Sequence, residues 1–428
     1  MGNLLGAPVT EKETHEGATA ENIKFAVSSM QGWRVHMEDA HITEHRIYAS
    51  EPLSTGYSKI ELPGHAVFAV FDGHGGTFAA AYSGRNFCRV LSREPKFVEY
   101  AKFERERPQK EQTFNTEAER NNYIRSGLEL LESALCDAFV DIDREIACLL
   151  RGQRVVDADQ PYNPADSTST DGQTSAAGSQ ACDNTTNTSN ATNTQPTDSA
   201  MDGLDEEGDS GTTACVVVLT PNYVVCANAG DSRAVISRLG NKAVPLSYDH
   251  KPDDEEEERR IRAAGGYVAG GRVEGDLAVS RGLGDFRFKN LDVVMAATDT
   301  SFPDVSKEDS APHDEPPESS TQRPRMSPGE QKVSPIPDII VQSRNEQQDE
   351  FIIVACDGIW DVQTNYEAVQ TVAELFREGE TSIGLVCEEV SYELSHITHH
   401  TCHTPSSHKF VQPHSYVTSA LAWEAKTI

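Results

Sequence analysis

The 428-residue sequence predicts a layered α+β architecture, and three of its features say so. Short apolar runs of strand length alternate with stretches whose apolar residues recur at helical spacing. Two apolar runs turn back on themselves as hairpin-like pairs. Two long polar stretches interrupt this pattern and help explain a hydrophobic content of only 37%.

Taken in order, residues 1–21 form an uneven polar segment that opens Met1-Gly2-Asn3-Leu4-Leu5-Gly6. Gly2 is a candidate myristoyl acceptor once Met1 is removed, although Gly6 stands where Ser or Thr is usual. An ordinary frayed start is the competing reading. One acyl chain would give only weak, reversible membrane contact. His65-Ala-Val-Phe-Ala-Val-Phe71 reads as a buried strand, broken by Asp72-Gly73-His74-Gly75-Gly76, with a helix from Phe78 to Leu91. Ile124, Leu128, Leu131, Leu135 and Phe139 mark the core face of a further helix. Residues 151–210 hold eleven acidic and two basic residues amid Ser, Thr and Asn, the composition of a disordered insertion.

Folded character resumes at Thr212-Thr-Ala-Cys-Val-Val-Val-Leu219, a Thr220-Pro-Asn222 turn and a returning strand from Tyr223 to Ala227. Asp253 to Ala264 begins acidic and ends basic, which predicts a surface helix whose Glu255 to Glu258 need no partner. Residues 296–335 are polar again and predict a second insertion. Ile339 to Val341 and Phe351 to Ala355 read as strands, and Ile383, Val386, Val390, Leu394 and Ile397 as one more amphipathic helix. The segment 399–428 is rich in His, Ser and Thr and reads as a solvated tail. His396, His399, His400 and His403 have no Cys partners for a zinc site.

The balance of 37 basic against 68 acidic residues gives −31, which removes any chain-wide attraction to nucleic acid or an anionic membrane and favours cations as ligands. Nine cysteines, odd in number and without a Cys-x-x-Cys pair, signal neither a disulfide framework nor zinc. No apolar run approaches the roughly 20 residues that span a bilayer. A soluble intracellular monomer of cytoplasm or nucleus, with no transmembrane segment, is expected.

The chemistry concentrates in carboxylates at the ends of apolar strands. Asp72 follows Phe71, Asp357 follows Phe351-Ile-Ile-Val-Ala-Cys356, and Asp231 follows Cys226-Ala-Asn-Ala-Gly230, each beside a glycine. Any one alone is a turn-forming Asp. Three of them, with Glu38, Asp39 and Asp361, would repel one another unless cations neutralised them, which argues for more than one divalent metal. All-oxygen ligation selects Mg²⁺ or Mn²⁺ rather than zinc, and Ca²⁺ would come without an EF-hand loop. Two such ions suit phosphate-ester hydrolysis, since they bind phosphoryl oxygens and activate water. Arg34 is a candidate phosphate ligand and His74 a candidate proton donor to the leaving oxygen. A surface charge and a capping histidine are the competing readings of these two.

Six ordered segments then declare a family. Ser28-Ser-Met-Gln-Gly-Trp-Arg-Val-His-Met-Glu-Asp-Ala-His41, Phe68-Ala-Val-Phe-Asp-Gly-His-Gly-Gly76, Gly230-Asp-Ser-Arg-Ala234, Asp249-His-Lys-Pro252, Leu277-Ala-Val-Ser-Arg-Gly-Leu-Gly-Asp-Phe286 and Ala355-Cys-Asp-Gly-Ile-Trp-Asp361 resemble the motifs of the metal-dependent (PPM-type) protein serine/threonine phosphatases of type 2C. The resemblance runs over about residues 22–395 and places a phosphatase domain at 22–398, interrupted by the two insertions. It implies a β-sandwich of two antiparallel sheets flanked by helices (α-β-β-α), phosphorylated protein substrates, and a dinuclear Mn²⁺ or Mg²⁺ centre. By motif match Asp72 bridges both metals, the Gly73 carbonyl and Asp357 are ligands, and Glu38 holds metal-bound water or binds directly. Arg34 binds phosphate and His74 is the general acid. Asp231 and Asp361 resemble ligands of a weaker third metal, while Asp39 and Asp285 are supporting polar residues. The family's closing Gly/Ser-x-Asp-Asn-x-Ser/Thr motif has no counterpart, for no Asp follows Asp361. Loss of one ligand and of a last core strand is therefore expected, leaving a strand edge unpaired. The alternative function is that of a catalytically impaired member acting as a phosphoprotein-binding or interaction module. A non-enzymatic cation-binding protein would leave Arg34 and His74 without a role.

Overall fold

In the computed structural model, residues 4–54, 56–155, 162, 210–296, 326–390 and 421–424 are described. The first half supplies strands β1 (Leu4–Ala18), β2 (Lys24–Arg34), β3 (Ala40–Glu44), β4 (Ile47–Leu53), β5 (Gly56–Leu62), β6 (Ala66–Phe71) and β7 (Gly73–His74). Helices α1 (Phe78–Arg93), α2 (Pro95–Glu111) and α3 (Glu117–Leu150) follow. Beyond the first polar stretch come β8 (Gly211–Thr212), β9 (Ala214–Leu219), β10 (Tyr223–Ala229), β11 (Arg233–Arg238) and β12 (Lys242–Pro245). Then stand α4 (Glu255–Ala263), β13 (Val268–Ala269), β14 (Arg272–Val273), β15 (Leu283–Gly284) and α5 (Leu291–Ala296). The last elements are β16 (Asp338–Ser343), β17 (Asp349–Ala355), α6 (Asp357–Trp360), α7 (Asn365–Arg377), a helix α8 over 383–390, and β18 (Leu421–Glu424).

Two antiparallel sheets face each other, one ordered β1-β2-β18-β17-β11-β12 and the other β16-β10-β9-β6-β3. Strand periodicity explains why both are fully apolar at their centres. In β6, Phe68 and Val70 point to the opposite sheet, where they meet Val27, Ala234, Ile352 and Val354. Val67, Ala69 and Phe71 point the other way, onto Phe87 and Leu91 of α1 and Leu131, Leu135 and Phe139 of α3. In β17 the same alternation sends Phe351, Ile353 and Ala355 onto Val369 and Val372 of α7 and Val386 and Val390 of α8. The result is the expected helix–sheet–sheet–helix order. Helix α3 starts at a capping box in which Thr116 Oγ1 accepts from the Glu119 amide at 3.2 Å and Glu119 Oε2 accepts from the Thr116 amide at 3.3 Å.

Several expectations are corrected. The opening polar segment contains β1, which pairs along β2 with two register shifts and is tied to α8 by Thr14 Oγ1 donating to Glu388 at 2.7 Å. Within the tail, β18 lies between β2 and β17 and pairs with both, so neither strand carries the unpaired edge expected there. The second insertion is shorter than predicted: Val333 is fully buried, and the Ser334 carbonyl accepts from the Gly282 amide at 3.0 Å. Tyr162, placed in the first insertion, stacks on Tyr48 with centroids 4.5 Å apart. Glu257 does need partners. It is buried, and it receives Arg260 at 2.7 Å, Arg281 at 2.7 Å and the Ser280 hydroxyl at 2.6 Å. The predicted disorder of 156–161, 163–209 and 297–325 lies outside the described residues, as do Leu394, Ile397 and the four tail histidines.

Candidate active site

The carboxylates converge at one end of the sandwich because their strands end there. Asp72 leaves β6 with its backbone pinned from both sides. Its amide donates to Thr213 Oγ1 at 3.3 Å, and its carbonyl accepts from Thr212 Oγ1 at 3.0 Å and from the Thr213 amide at 2.9 Å. Asp357 leaves β17 on the neighbouring sheet and opens α6. Ligand atoms of Asp72, Asp357 and Cys356 lie within 4.8 Å of one another. Asp39, just before β3, sits against Asp72, Cys356 and the Gly73 amide, and its Oδ2 is buried with no hydrogen-bond partner among the described residues. Gly73 has to be glycine, since a Cβ there would overlap the backbone carbonyl of Glu38. Glu38 itself turns its Oε1 to the Gly76 amide at 3.0 Å.

Gly230, at φ +127°, makes the turn from β10 to β11 and delivers Asp231, 4% exposed, to the same end. Lys251 Nζ reaches Asp231 Oδ2 at 2.6 Å. Electrostatics show how crowded the negative charge is. Burial, followed by Asp39 and Asp231, pushes the Asp72 carboxyl well above the usual range. Asp357 is raised by burial and then by Asp72, Asp231 and Asp361, against which Lys251 works. Asp39 is raised by burial and by Asp357. A carboxylate cluster in this state favours either protons or cations.

His74 lies at the edge of the cluster, its Nε2 2.8 Å from Asp285 Oδ1. Burial opposes charge on this ring, yet Asp285, Asp72 and Asp231 outweigh it and raise its pKa to about 9. Asp361 is exposed beyond α6, close enough to Asp357 to raise it. Of the predicted site residues, Arg34 is the one without a described contact to the cluster. It ends β2, and its guanidinium bonds to no described residue.

Sequence reasoning passed over two residues. Lys251 lies inside Asp249-His-Lys-Pro252, and its place beside Asp231 appears only in the fold. Cys356 carries no signal beyond its place before Asp357.

The sequence matches the family described as Protein phosphatase 2C over residues 23–140 and 131–395. This chain belongs to that family. Among curated relatives of the 2C family, it is 31% identical to Protein phosphatase 2C homolog 3 of Schizosaccharomyces pombe over 91% of its own length and 63% of the relative's. It is 30% identical to Protein phosphatase 2C homolog 2 of Saccharomyces cerevisiae, over 89% of its length and 56% of that protein. The chain thus spans less than two thirds of the length of either of these phosphatase 2C relatives. The chain is also similar to a crystal structure of a phosphatase from a pathogenic strain of Toxoplasma gondii, at TM-score 0.52 and 17% identity over 98% of this chain and 97% of that one, and so shares its fold.

Proposed function

We propose that the chain is a metal-dependent protein serine/threonine phosphatase that hydrolyses phosphoserine and phosphothreonine by direct attack of water. The observation that carries this reading is the packing of Asp72, Asp357 and Asp39, all with raised pKa, beside the His74–Asp285 pair. The donor set fits hard divalent cations. It offers buried oxygens in excess of the nearby positive charge, an orphaned Asp39 Oδ2, and a glycine that admits the Glu38 backbone.

Asp72, the Gly73 carbonyl and Asp357 would hold a pair of Mn²⁺ or Mg²⁺ ions, with Glu38 and Asp39 beside them. Asp231 and Asp361 would hold a third, weaker one. Bound there, such ions supply Lewis-acid charge and a water of lowered pKa. The protein's own residues do the rest. Arg34, free of described side-chain partners, is available to phosphate oxygens. His74 gives a proton to the departing serine or threonine oxygen. Lys251 neutralises Asp231 when no cation does. Phosphorylated proteins are the proposed substrates.

The test is turnover of a phosphothreonine peptide with Mn²⁺ titrated in and EDTA as control. Metal-dependent turnover that Asp72→Asn reduces by at least about 10²-fold is expected, the scale of loss when transition-state charge stabilisation goes. Turnover that survives EDTA, or an Asp72→Asn chain as active as its parent, overturns the metal reading.

A further inference from the structure

His74 and Asp285 are 211 positions apart, and their side chains meet at 2.8 Å. A three-stranded ribbon brings them together: His74 pairs with Gly211 across β7 and β8, Gly211 pairs with Gly284 across β8 and β15, and Asp285 comes next. Glycine is needed at both partner positions. A Cβ on Gly211 would overlap the Asp285 carboxylate, and one on Gly284, at φ +79°, would strike the Ser210 carbonyl.

Asp285 itself sits at φ 54°, ψ 41°, a left-handed conformation unfavourable to a residue with a side chain. Its amide donates to the Ser210 carbonyl at 3.2 Å, and its own carbonyl accepts from Phe288 at 2.9 Å. Beneath it lies an ion pair outside the carboxylate cluster. Lys289 Nζ meets Asp143 Oδ1 at 2.7 Å, with the two side chains 0% and 1% exposed. Asp143 Oδ1 also accepts from the Gly284 amide at 2.7 Å, and Lys289 donates to the Gly282 carbonyl at 2.8 Å. The pair therefore holds both ends of the turn that presents Asp285. Backbone strain held in place by surrounding bonds clusters at functional sites.

We infer that Asp285 is the positioning residue of the proton donor: its carboxylate engages Nε2 of His74 and leaves Nδ1 as the ring nitrogen that faces the reacting group, while Asp143 and Lys289 fix the turn that carries it. The inference rests on the proposed donor role of His74. A histidine's free nitrogen and ring angle are set by the bond its other nitrogen makes. In the step, water oxygen bonds to phosphorus as the bond to the serine or threonine oxygen breaks. That oxygen keeps the electron pair and takes the Nδ1 proton. The water's protons leave with the phosphate, the ring becomes neutral with its proton kept on Nε2 and hydrogen-bonded to Asp285, and solvent restores the Nδ1 proton.

The experiment compares kcat of the full chain at saturating Mn²⁺ on a phosphothreonine peptide, whose leaving oxygen needs a proton, and on 4-nitrophenyl phosphate, whose leaving oxygen does not. Asp285→Ala is expected to lose about 10- to 100-fold on the peptide and under about 3-fold on the aryl ester, a share of the usual acid contribution. Adding it to His74→Ala should cost less than about 3-fold more, since residues acting as one unit are not additive. Mn²⁺ affinity by titration calorimetry should not change. Asp285→Asn keeps size and an acceptor oxygen, and it should show a smaller loss of the same selectivity; it carries the comparison if the alanine variant does not fold. Equal losses on both substrates, weaker Mn²⁺ binding, or losses that multiply in the double variant overturn the inference. If His74→Ala itself falls equally on both substrates, the donor role fails first, and that result is separate from any seen with Asp285 alone.

Discussion

Glu94 ends α1 and begins α2, and it is buried against Asp141 and Asp137. Burial first, and then these carboxylates, raise its pKa to about 9. A group whose pKa is higher folded than unfolded adds stability below its unfolded value, near 4.5, and that stability is lost as pH rises toward 9. Glu94→Gln keeps a donor toward Asp141 and removes the titration. The variant should match its parent in thermal melts near pH 4 and exceed it near pH 9. An offset that stays constant between those pH values counts against the assignment. Sequence gave no hint of this corner, because Glu94 and Asp141 meet only when α3 packs on the end of α1. The same holds for His74 with Asp285: each residue type was legible as chemistry, but their meeting depends on a two-residue ribbon too short to show a pattern.

At the scale of elements, α3 links core to site. Its inner face packs Leu131, Leu135 and Phe139 under β6, and its Asp143 anchors the turn after β15 through Lys289. Lys289→Met strands a buried carboxylate and should cost about 3–5 kcal/mol in denaturant unfolding, the range for breaking one side of a buried pair. A loss below about 1 kcal/mol would mean that Asp143 takes up a proton at no cost. The α3 face was readable because five apolar residues recur at helical spacing, and β6 and β17 because strands buried on both faces are continuous apolar runs. Strand β1 was not. Its half-buried residues come at irregular intervals among exposed ones at a sheet edge, and hydrogen bonds to α8 help hold it where apolar area is scarce. Glu257 misled for a related reason: an acidic run marks a helix start, and nothing local reveals that one of its members faces two arginines.

Across the whole molecule, the larger sheet is completed by β18, whose partners are Lys24–Ala26 of β2 and Ile353–Val354 of β17. A chain lacking residues 421–428 should melt lower and associate more, since two strands then present open backbone edges. Thermal unfolding and light scattering read both, and an unchanged midpoint with a monodisperse sample would rule this out. The placement also bears on how the molecule is made. Strand β2 ends at Arg34 and β17 leads into Asp357, and the two strands share no partner until β18 has been made. Pairings between such distant segments form slowly. The nascent chain can build α1 to α3 and the β9–β10 hairpin early, but the two halves of the site join under one sheet only once β18 has been made, so the docking of that short strand sets when the site is assembled.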